Sequence, residues 1–171
     1  MSNPKENELK MTEENFIVSK TDMKGNITYG NRDFMHFSGL KESQFLGKPH
    51  RIIRHPDMPR AIFKIMWDNL KDKKEFFGFI KNINIDGSYY WTYANVTPSY
   101  DPDGKLIGYF SVRRKPYESS VDFFTKIYKK MLNEEKKYKN RNEAMEASTA
   151  ILQEAIISAG GSNYDEFMFT E

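Results

Sequence analysis

Two turns rich in Asp and Gly divide residues 76–113 into three extended segments, and this pattern restricts the fold more than any other feature of the sequence. The segments span residues 76–85, 89–100 and 106–113, and the turns are Asp86-Gly87 and Asp101-Pro102-Asp103-Gly104. The central segment alternates between two sets of side chains, as a strand with two different faces does. Because Asp-Gly pairs favour tight hairpin turns, the pattern predicts a three-stranded antiparallel meander.

The residues before the meander predict two more strands and several short helices. The predicted elements are strands at 15–19 and 27–31, a helix at 33–37, a turn at 43–47 and an amphipathic helix after Pro59. Asp57 is the candidate N-cap of the amphipathic helix, because an Asp side chain accepts hydrogen bonds from the first N–H groups of a helix. Together the elements predict an α+β fold with a five-stranded antiparallel sheet and helices on one face.

Apolar residues recur every three or four positions after Pro116, which is typical of an amphipathic helix with a heptad-like stripe. The stripe consists of Val121, Phe124, Tyr128, Met131, Tyr138, Met145, Leu152, Ile156 and Ala159. It predicts either one long helix over residues 117–160 or two helices broken near 133–143. Because the stripe needs a surface to pack against, it also predicts a homodimer or binding to the helix of a partner protein.

These patterns divide the chain into four parts. We expect a polar, flexible cap at residues 1–13, a compact domain at 14–116, the C-terminal helix at 117–160 and a flexible tail at 161–171. Gly160 and Gly161 mark the end of the helix, since Gly is the usual residue just beyond a helix C-terminus.

The composition excludes several classes of function. The 171 residues include no cysteine, which excludes disulfides, thiolate metal sites and a flavin photosensor that works through a cysteinyl adduct. The 26 Lys and Arg residues are interspersed with 24 Asp and Glu residues, so the basic stripe of a nucleic-acid-binding protein is missing. Because the sequence contains neither an apolar run of about 18 residues nor a secretion signal, we expect a cytoplasmic protein without direct membrane insertion.

A set of short motifs between residues 15 and 115 resembles the flavin-binding PAS domain of the bacterial aerotaxis receptor family. The densest motif is Arg54-His55-Pro56-Asp57-Met58-Pro59, which is specific to that subgroup. The others are Gly30-Asn31, Phe37-Ser38-Gly39, Gly47-Lys48-Pro49-His50, Met66-Trp67, Lys81-Asn82, Asp86-Gly87, Tyr90-Trp91 and Gly108-Tyr109. The resemblance implies a PAS fold, a non-covalently bound FAD, and a sensor of redox or energy state for taxis.

The layout of the sequence differs from that of the aerotaxis receptors. Those receptors continue into a membrane anchor and a kinase-control domain, and neither is visible here. The sequence is closer to the short, stand-alone PAS proteins of the same type. That likeness implies a membrane-bound chemoreceptor-like transducer as the signalling partner.

The resemblance also provides candidate flavin-binding residues, which are Asn31, His50, Arg54, His55, Asp57, Trp67 and Asn82. Arg54 and His55 are the lead candidates for a cationic edge beside the ring or for the pyrophosphate, because an Arg fork suits phosphate oxygens and His changes charge near neutral pH. Asn82 is the candidate amide that senses the redox state of the ring. Helix capping is the structural alternative for Asn31 and Asp57. Core packing is the alternative for Trp67, and a loop contact for His50.

Two other functions remain open from the sequence. A haem-binding PAS gas sensor needs an axial ligand, for which His36, His50 and His55 are available. A ligand-free module would use its sheet and helix only to dimerise or to bind a partner. The sequence shows no nicotinamide-binding Gly fingerprint and no nucleophile–base pair, so we do not expect an enzyme. It does not distinguish FAD from FMN.

Overall fold

One antiparallel sheet of five strands organises the fold. The structure, a computed structural model, describes residues 3–169. Its strands are β1 (Ile17–Thr21), β2 (Ile27–Gly30), β3 (Phe76–Ile83), β4 (Tyr89–Tyr100) and β5 (Leu106–Arg114). Their spatial order is β2-β1-β5-β4-β3, so β5 is the central strand. The predicted α+β fold with a five-stranded antiparallel sheet is confirmed.

Helices precede and follow the three-stranded meander. They are α1 (Arg32–Ser38), α2 (Glu42–Phe45), α3 (Arg60–Lys71), α4 (Glu118–Glu135), α5 (Arg141–Ser158) and α6 (Tyr164–Phe169). A 3₁₀ helix, His50–Ile53, lies between α2 and α3. The order of elements is the predicted one up to α4, and α2 occupies the segment predicted as a turn at 43–47.

Alternation along the strands gives the sheet two faces with different neighbours. Ile80, Ala94 and Arg113 lie on the face that α3 covers, called the inner face here. The outer face carries aromatic side chains and is covered in part by α4. The ring of Phe124 in α4 stacks on that of Phe79 at 4.7 Å between centroids. The helices therefore lie on both faces, with α4 on the side opposite to α3.

The N-terminus of α3 is held by a residue from the far end of the chain. Its N-cap position is Pro59, which makes no side-chain cap, and the carboxylate of Glu135 accepts hydrogen bonds from the N–H groups of Arg60 (3.1 Å) and Ala61 (3.0 Å). The prediction that Asp57 caps this helix is wrong. Asp57 instead accepts a hydrogen bond from the Lys81 ammonium at 2.6 Å, because the chain turns before the helix begins.

The C-terminal stripe belongs to two helices and packs within the chain. Helices α4 and α5 are separated at residues 136–140, so the second predicted alternative, a break near 133–143, is the observed one. Phe124, Tyr128 and Met131 of α4 are buried against the same core as Met145 of α5. The Tyr128 hydroxyl donates a hydrogen bond to the Phe79 carbonyl oxygen at 2.9 Å. The stripe therefore has its packing surface inside this chain, and dimerisation through it stays a prediction.

Both ends of the described chain pack on the sheet. The prediction of a flexible tail is wrong for residues 164–169, which form α6, and Met168 in this helix is fully buried. At the N-terminal end the backbone of Leu9 donates to the Tyr89 carbonyl oxygen at 2.7 Å. Residues 1–2 of the predicted cap and residues 170–171 of the predicted tail lie outside the described residues. Within 3–169, no helix combines the length and the apolar character needed to cross a membrane.

Candidate ligand-binding site

A cavity of about 940 Å³ lies between α3 and the inner face of the sheet. Its volume is at the upper end of the range in which proteins hold small molecules and cofactors. The apolar part of its wall includes Phe63, Met66, Leu70, Phe76, Ile80, Ala94, Val96 and Met145. Since Met145 belongs to α5, the C-terminal helices contribute to the wall of the cavity.

Two buried polar atoms in this wall have no hydrogen-bond partner within the described chain. They are Asn82 Nδ2 on β3 and Ser111 Oγ on β5. Leaving a buried donor unsatisfied costs about 1–3 kcal/mol, so such atoms are rare unless something else binds them. The wall therefore presents unused hydrogen-bonding capacity to the interior of the cavity.

A buried arginine on the central strand also faces the cavity. Arg113 is only 5% exposed, and its guanidinium donates to Ser19 Oγ at 3.1 Å and to His50 Nε2 at 2.7 Å. No Asp or Glu side chain within residues 3–169 forms an ion pair with it. Burial lowers the pKa of Arg113 to about 10, which leaves the guanidinium charged at neutral pH.

The His50 ring is neutral at neutral pH because it is desolvated and lies next to the positive charge of Arg113. Burial lowers the pKa of His50 to about 3, and the charge of Arg113 acts in the same direction. Since a guanidinium has only donors, Nε2 of His50 accepts the hydrogen bond from Arg113, which assigns the ring proton to Nδ1. His50 therefore orients the guanidinium without neutralising its charge.

The exposed part of the lining is strongly cationic. The exposed basic residues there are Lys24, Arg51, Arg60, Lys64, Lys71 and Arg141. The one exposed carboxylate of the lining, Asp68, pairs with Lys64 at 2.5 Å. This end of the cavity suits a ligand with an anionic tail.

Arg54 and Trp67 contribute flat groups to the wall. The Arg54 guanidinium lies 3.9 Å from the centre of the Phe63 ring and donates to the Met58 carbonyl oxygen at 3.0 Å. Burial lowers the pKa of Arg54 to about 10, so this group also stays charged. The Trp67 ring meets the Tyr109 ring edge-on at 5.3 Å. Both candidates line the cavity, as do His50 and Asn82.

The other three sequence candidates lie outside the lining. Asn31 caps α1, accepting from the Phe34 N–H at 2.9 Å. His55 is buried next to Tyr89, and its Nδ1 accepts the Asp57 N–H at 3.0 Å. Burial lowers the pKa of His55 to about 4. Of the residues in the motif at 54–59, Arg54 therefore lines the cavity, whereas His55 and Asp57 do not.

Sequence reasoning missed Arg113, Ser111 and Ser19. The signal for the first two was the alternation in β5, which places Tyr109, Ser111 and Arg113 on one face. A cation at a core position of a central strand is unusual enough to suggest a ligand. Ser19 carried no comparable signal.

Comparisons with known proteins agree with the observed fold. The family model described as the PAS fold matches residues 27–113. The aerotaxis receptor of Escherichia coli (strain K12) is 34% identical over 119 residues, which are 70% of this chain and 23% of that protein. The nitrogen fixation regulatory protein of Klebsiella pneumoniae is 32% identical over 97 residues, which are 57% of this chain and 20% of that protein. The chain thus spans less than a quarter of the length of either relative.

Solved structures with the same fold include light-oxygen-voltage domains. The light state of the blue-light photoreceptor Aureochrome1 LOV has a TM-score of 0.55 and 21% identity, covering 71% of this chain and 92% of that one. A light-oxygen-voltage domain studied with a flavin analogue has a TM-score of 0.56 and 22% identity, covering 65% of this chain and 83% of that one. At these identities the likeness concerns the fold, and it supports the arrangement of sheet and helices described above.

Proposed function

The chain belongs to the PAS fold family, and we propose that it is a redox sensor that holds a flavin without a covalent bond in the cavity under α3. The observation that carries the proposal is the pair of unpartnered polar atoms, Asn82 Nδ2 and Ser111 Oγ, in a cavity wall that also has an apolar part and a cationic exposed end. A flat ring with carbonyl and nitrogen acceptors along one edge complements such a wall. The similarity to the aerotaxis receptor supports the same ligand class.

The residues of the cavity fit a flavin ring. A bound flavin supplies reversible electron transfer, which no amino-acid side chain here offers. Phe63, Ile80 and Ala94 would provide apolar contacts for such a ring, and the Asn82 amide would donate a hydrogen bond to it. Because the chain has no cysteine, the signal does not pass through a cysteinyl adduct.

Among flavins, we propose FAD. The cationic residues at the exposed end of the cavity, among them Arg60 and Arg141, offer donors for the diphosphate that FAD carries and riboflavin lacks. Arg54 adds a third guanidinium to the lining of the same cavity. A diphosphate suits this excess of positive charge better than a neutral ligand.

The proposed signal passes from the cavity to the C-terminal helices. Asn82 forms an isolated backbone bridge with Arg54, just before α3, and Glu135 at the end of α4 holds the first N–H groups of α3. A change of hydrogen bonding at the Asn82 amide on flavin reduction would alter these contacts. We propose that α4 and α5 then signal to a membrane-bound chemoreceptor-like transducer in redox or energy taxis, with a homodimer as the other candidate assembly. In this role the chain transmits a conformational signal and converts no substrate.

A binding titration tests the ligand. Protein stripped of small molecules is titrated with FAD, with haem as the competing candidate, and the change in ligand fluorescence or absorption is followed. We expect saturation at one FAD per chain, and loss of that binding in Arg54→Ala with an unchanged circular dichroism spectrum. Saturable haem binding with a Soret band, and no FAD binding, would instead support a gas sensor with His50 as the axial candidate. Binding of neither ligand would leave the protein as an interaction module.

A further inference from the structure

Arg113 is a buried charge without a buried counter-charge. Moving a charged group out of water is unfavourable unless an opposite charge or several hydrogen bonds compensate. The described partners of its guanidinium, Ser19 and His50, are both uncharged at neutral pH. The nearby phenol of Tyr90 is also uncharged, because burial raises its pKa. Within residues 3–169, the groups bonded to Arg113 therefore leave its positive charge uncompensated.

The position of Arg113 directs this charge toward the cavity. It lies on β5, the central strand, opposite Ala94 of β4 and Ile17 of β1. Ser111, two residues earlier on the same face, has an unpartnered hydroxyl. A guanidinium carries five N–H donors, and the contacts to Ser19 and His50 use its two terminal nitrogens only. Donors and charge are thus available to a ligand in the cavity that Arg113 lines.

We propose that Arg113 is the counter-ion of the reduced ligand: it stabilises the negative charge that a flavin ring gains on reduction, and Ser19 and His50 position it for this role. The inference rests on the proposed function. Uptake of two electrons and one proton converts the neutral oxidised ring to a ring with one negative charge at neutral pH. A fixed cation in a partly buried site stabilises that charge strongly compared with water. Arg113 therefore raises the reduction potential of the bound flavin and determines which cellular donors reduce it.

The test compares Arg113→Gln with a matched control, Arg114→Gln. Arg114 is the next residue, is exposed and lies on the opposite face. Each variant is loaded with FAD and titrated with dithionite under nitrogen, and the midpoint potential and the dissociation constant of oxidised FAD are measured. We expect Arg113→Gln to lose at least tenfold more affinity for reduced than for oxidised FAD. For a two-electron couple this lowers the midpoint potential by at least about 30 mV. Arg113→Lys keeps the charge, so its midpoint potential should lie between those of Arg113→Gln and the wild type. The midpoint potential of Arg114→Gln should match that of the wild type.

The outcomes separate this inference from the function on which it rests. An Arg113→Gln protein that holds FAD at the wild-type potential would overturn the role of Arg113 and leave the flavin sensor standing. A wild-type protein that binds no flavin would overturn both. If Arg113→Gln does not fold, the midpoint potential of FAD bound to the wild-type protein is compared with that of free FAD. Stabilisation of the reduced, anionic ring requires the bound FAD to have the higher potential. A lower potential on binding would contradict the proposal.

Discussion

The amide of Asn82 and the guanidinium of Arg113 define what the cavity can recognise. Both are buried on the inner face, and neither has a charged partner within residues 3–169. Asn82 offers a neutral donor and Arg113 a charged one. A ligand that satisfies both presents acceptors along one edge and tolerates or acquires negative charge there, which is the chemistry of a flavin ring.

Substitution of Asn82 tests whether its amide serves a ligand rather than the fold. Asn82→Leu has a similar shape and removes a buried N–H group that has no partner. We expect the ligand-free protein to gain up to about 1 kcal/mol in free energy of unfolding and FAD affinity to fall by about tenfold. Urea unfolding and FAD titration measure the two effects. Asn95→Leu, which removes an exposed amide bonded to Glu75, is the control and should leave FAD affinity unchanged. A loss of stability together with unchanged FAD affinity in Asn82→Leu would indicate a structural amide.

The neutral state of His50 predicts a pH dependence of stability. Burial lowers its pKa to about 3, whereas an unfolded His titrates near a pKa of about 6.5. Below that pH the unfolded chain binds a proton that the folded chain excludes, so ligand-free protein loses stability as the pH falls. The expected loss from His50 is up to about 1.4 kcal/mol per pH unit. Urea unfolding between pH 7 and 4 should show a shallower decline in His50→Gln. Parallel pH profiles for the two proteins would refute the assignment.

At the level of single residues, four of the seven candidates that the resemblance provided line the cavity: His50, Arg54, Trp67 and Asn82. Their role in binding a ligand stays a prediction. Arg54 and His55 were taken together, although the segment is extended at this point, with Arg54 bridging Asn82 and His55 bonded to the Lys81 carbonyl oxygen. Consecutive side chains of an extended segment point in opposite directions. His55 therefore turns away from the cavity that Arg54 lines.

At the level of elements, α3 depends on the end of α4. Both carboxylate oxygens of Glu135 bind the first N–H groups of α3, 75 and 74 residues away in sequence. No local sequence pattern predicts a helix cap from a residue so distant in sequence. The sequence therefore indicated the nearby Asp57 as the N-cap. This contact joins the element that covers the cavity to the helices proposed to carry the signal.

Removal of this long-range cap should destabilise the protein. Glu135→Ala leaves two N–H groups of α3 unsatisfied, and we expect a loss of about 1–2 kcal/mol in free energy of unfolding. Glu134→Ala is the matched control, because the partly exposed Glu134 carboxylate pairs with Lys137 of the same segment at 2.5 Å. Such pairs contribute about 0–1 kcal/mol. Equal effects of the two substitutions in urea unfolding would mean that Glu135 does not hold α3.

At the level of the whole molecule, the C-terminal helices complete the domain. Helix α5 contributes Arg141, Asn142 and Met145 to the cavity lining, and α6 reaches the outer face, where the Tyr93 hydroxyl donates to the Met168 carbonyl oxygen at 2.6 Å. The sequence predicted a helical period here, but periodicity shows only that a stripe is buried. It does not identify the surface that buries it, and here that surface is the same chain.

The contribution of α5 to the cavity predicts an effect on FAD binding from outside the PAS match. Arg141→Gln removes an exposed guanidinium at the start of α5. We expect FAD affinity to fall by up to about fivefold, corresponding to about 1 kcal/mol for a solvent-exposed charge pair. Riboflavin, which has no phosphate, should bind both proteins equally. Fluorescence titrations measure these affinities, and an equal change for both ligands would show that Arg141 does not contact the diphosphate.

The most direct test of the central claim is the identity of the small molecule that the protein carries when freshly purified from cells. An absorption spectrum of the native protein, followed by mass spectrometry of the material released on denaturation, provides it. The account predicts a flavin spectrum and the mass of FAD at close to one equivalent per chain. A colourless protein that also fails to take up added FAD would contradict it.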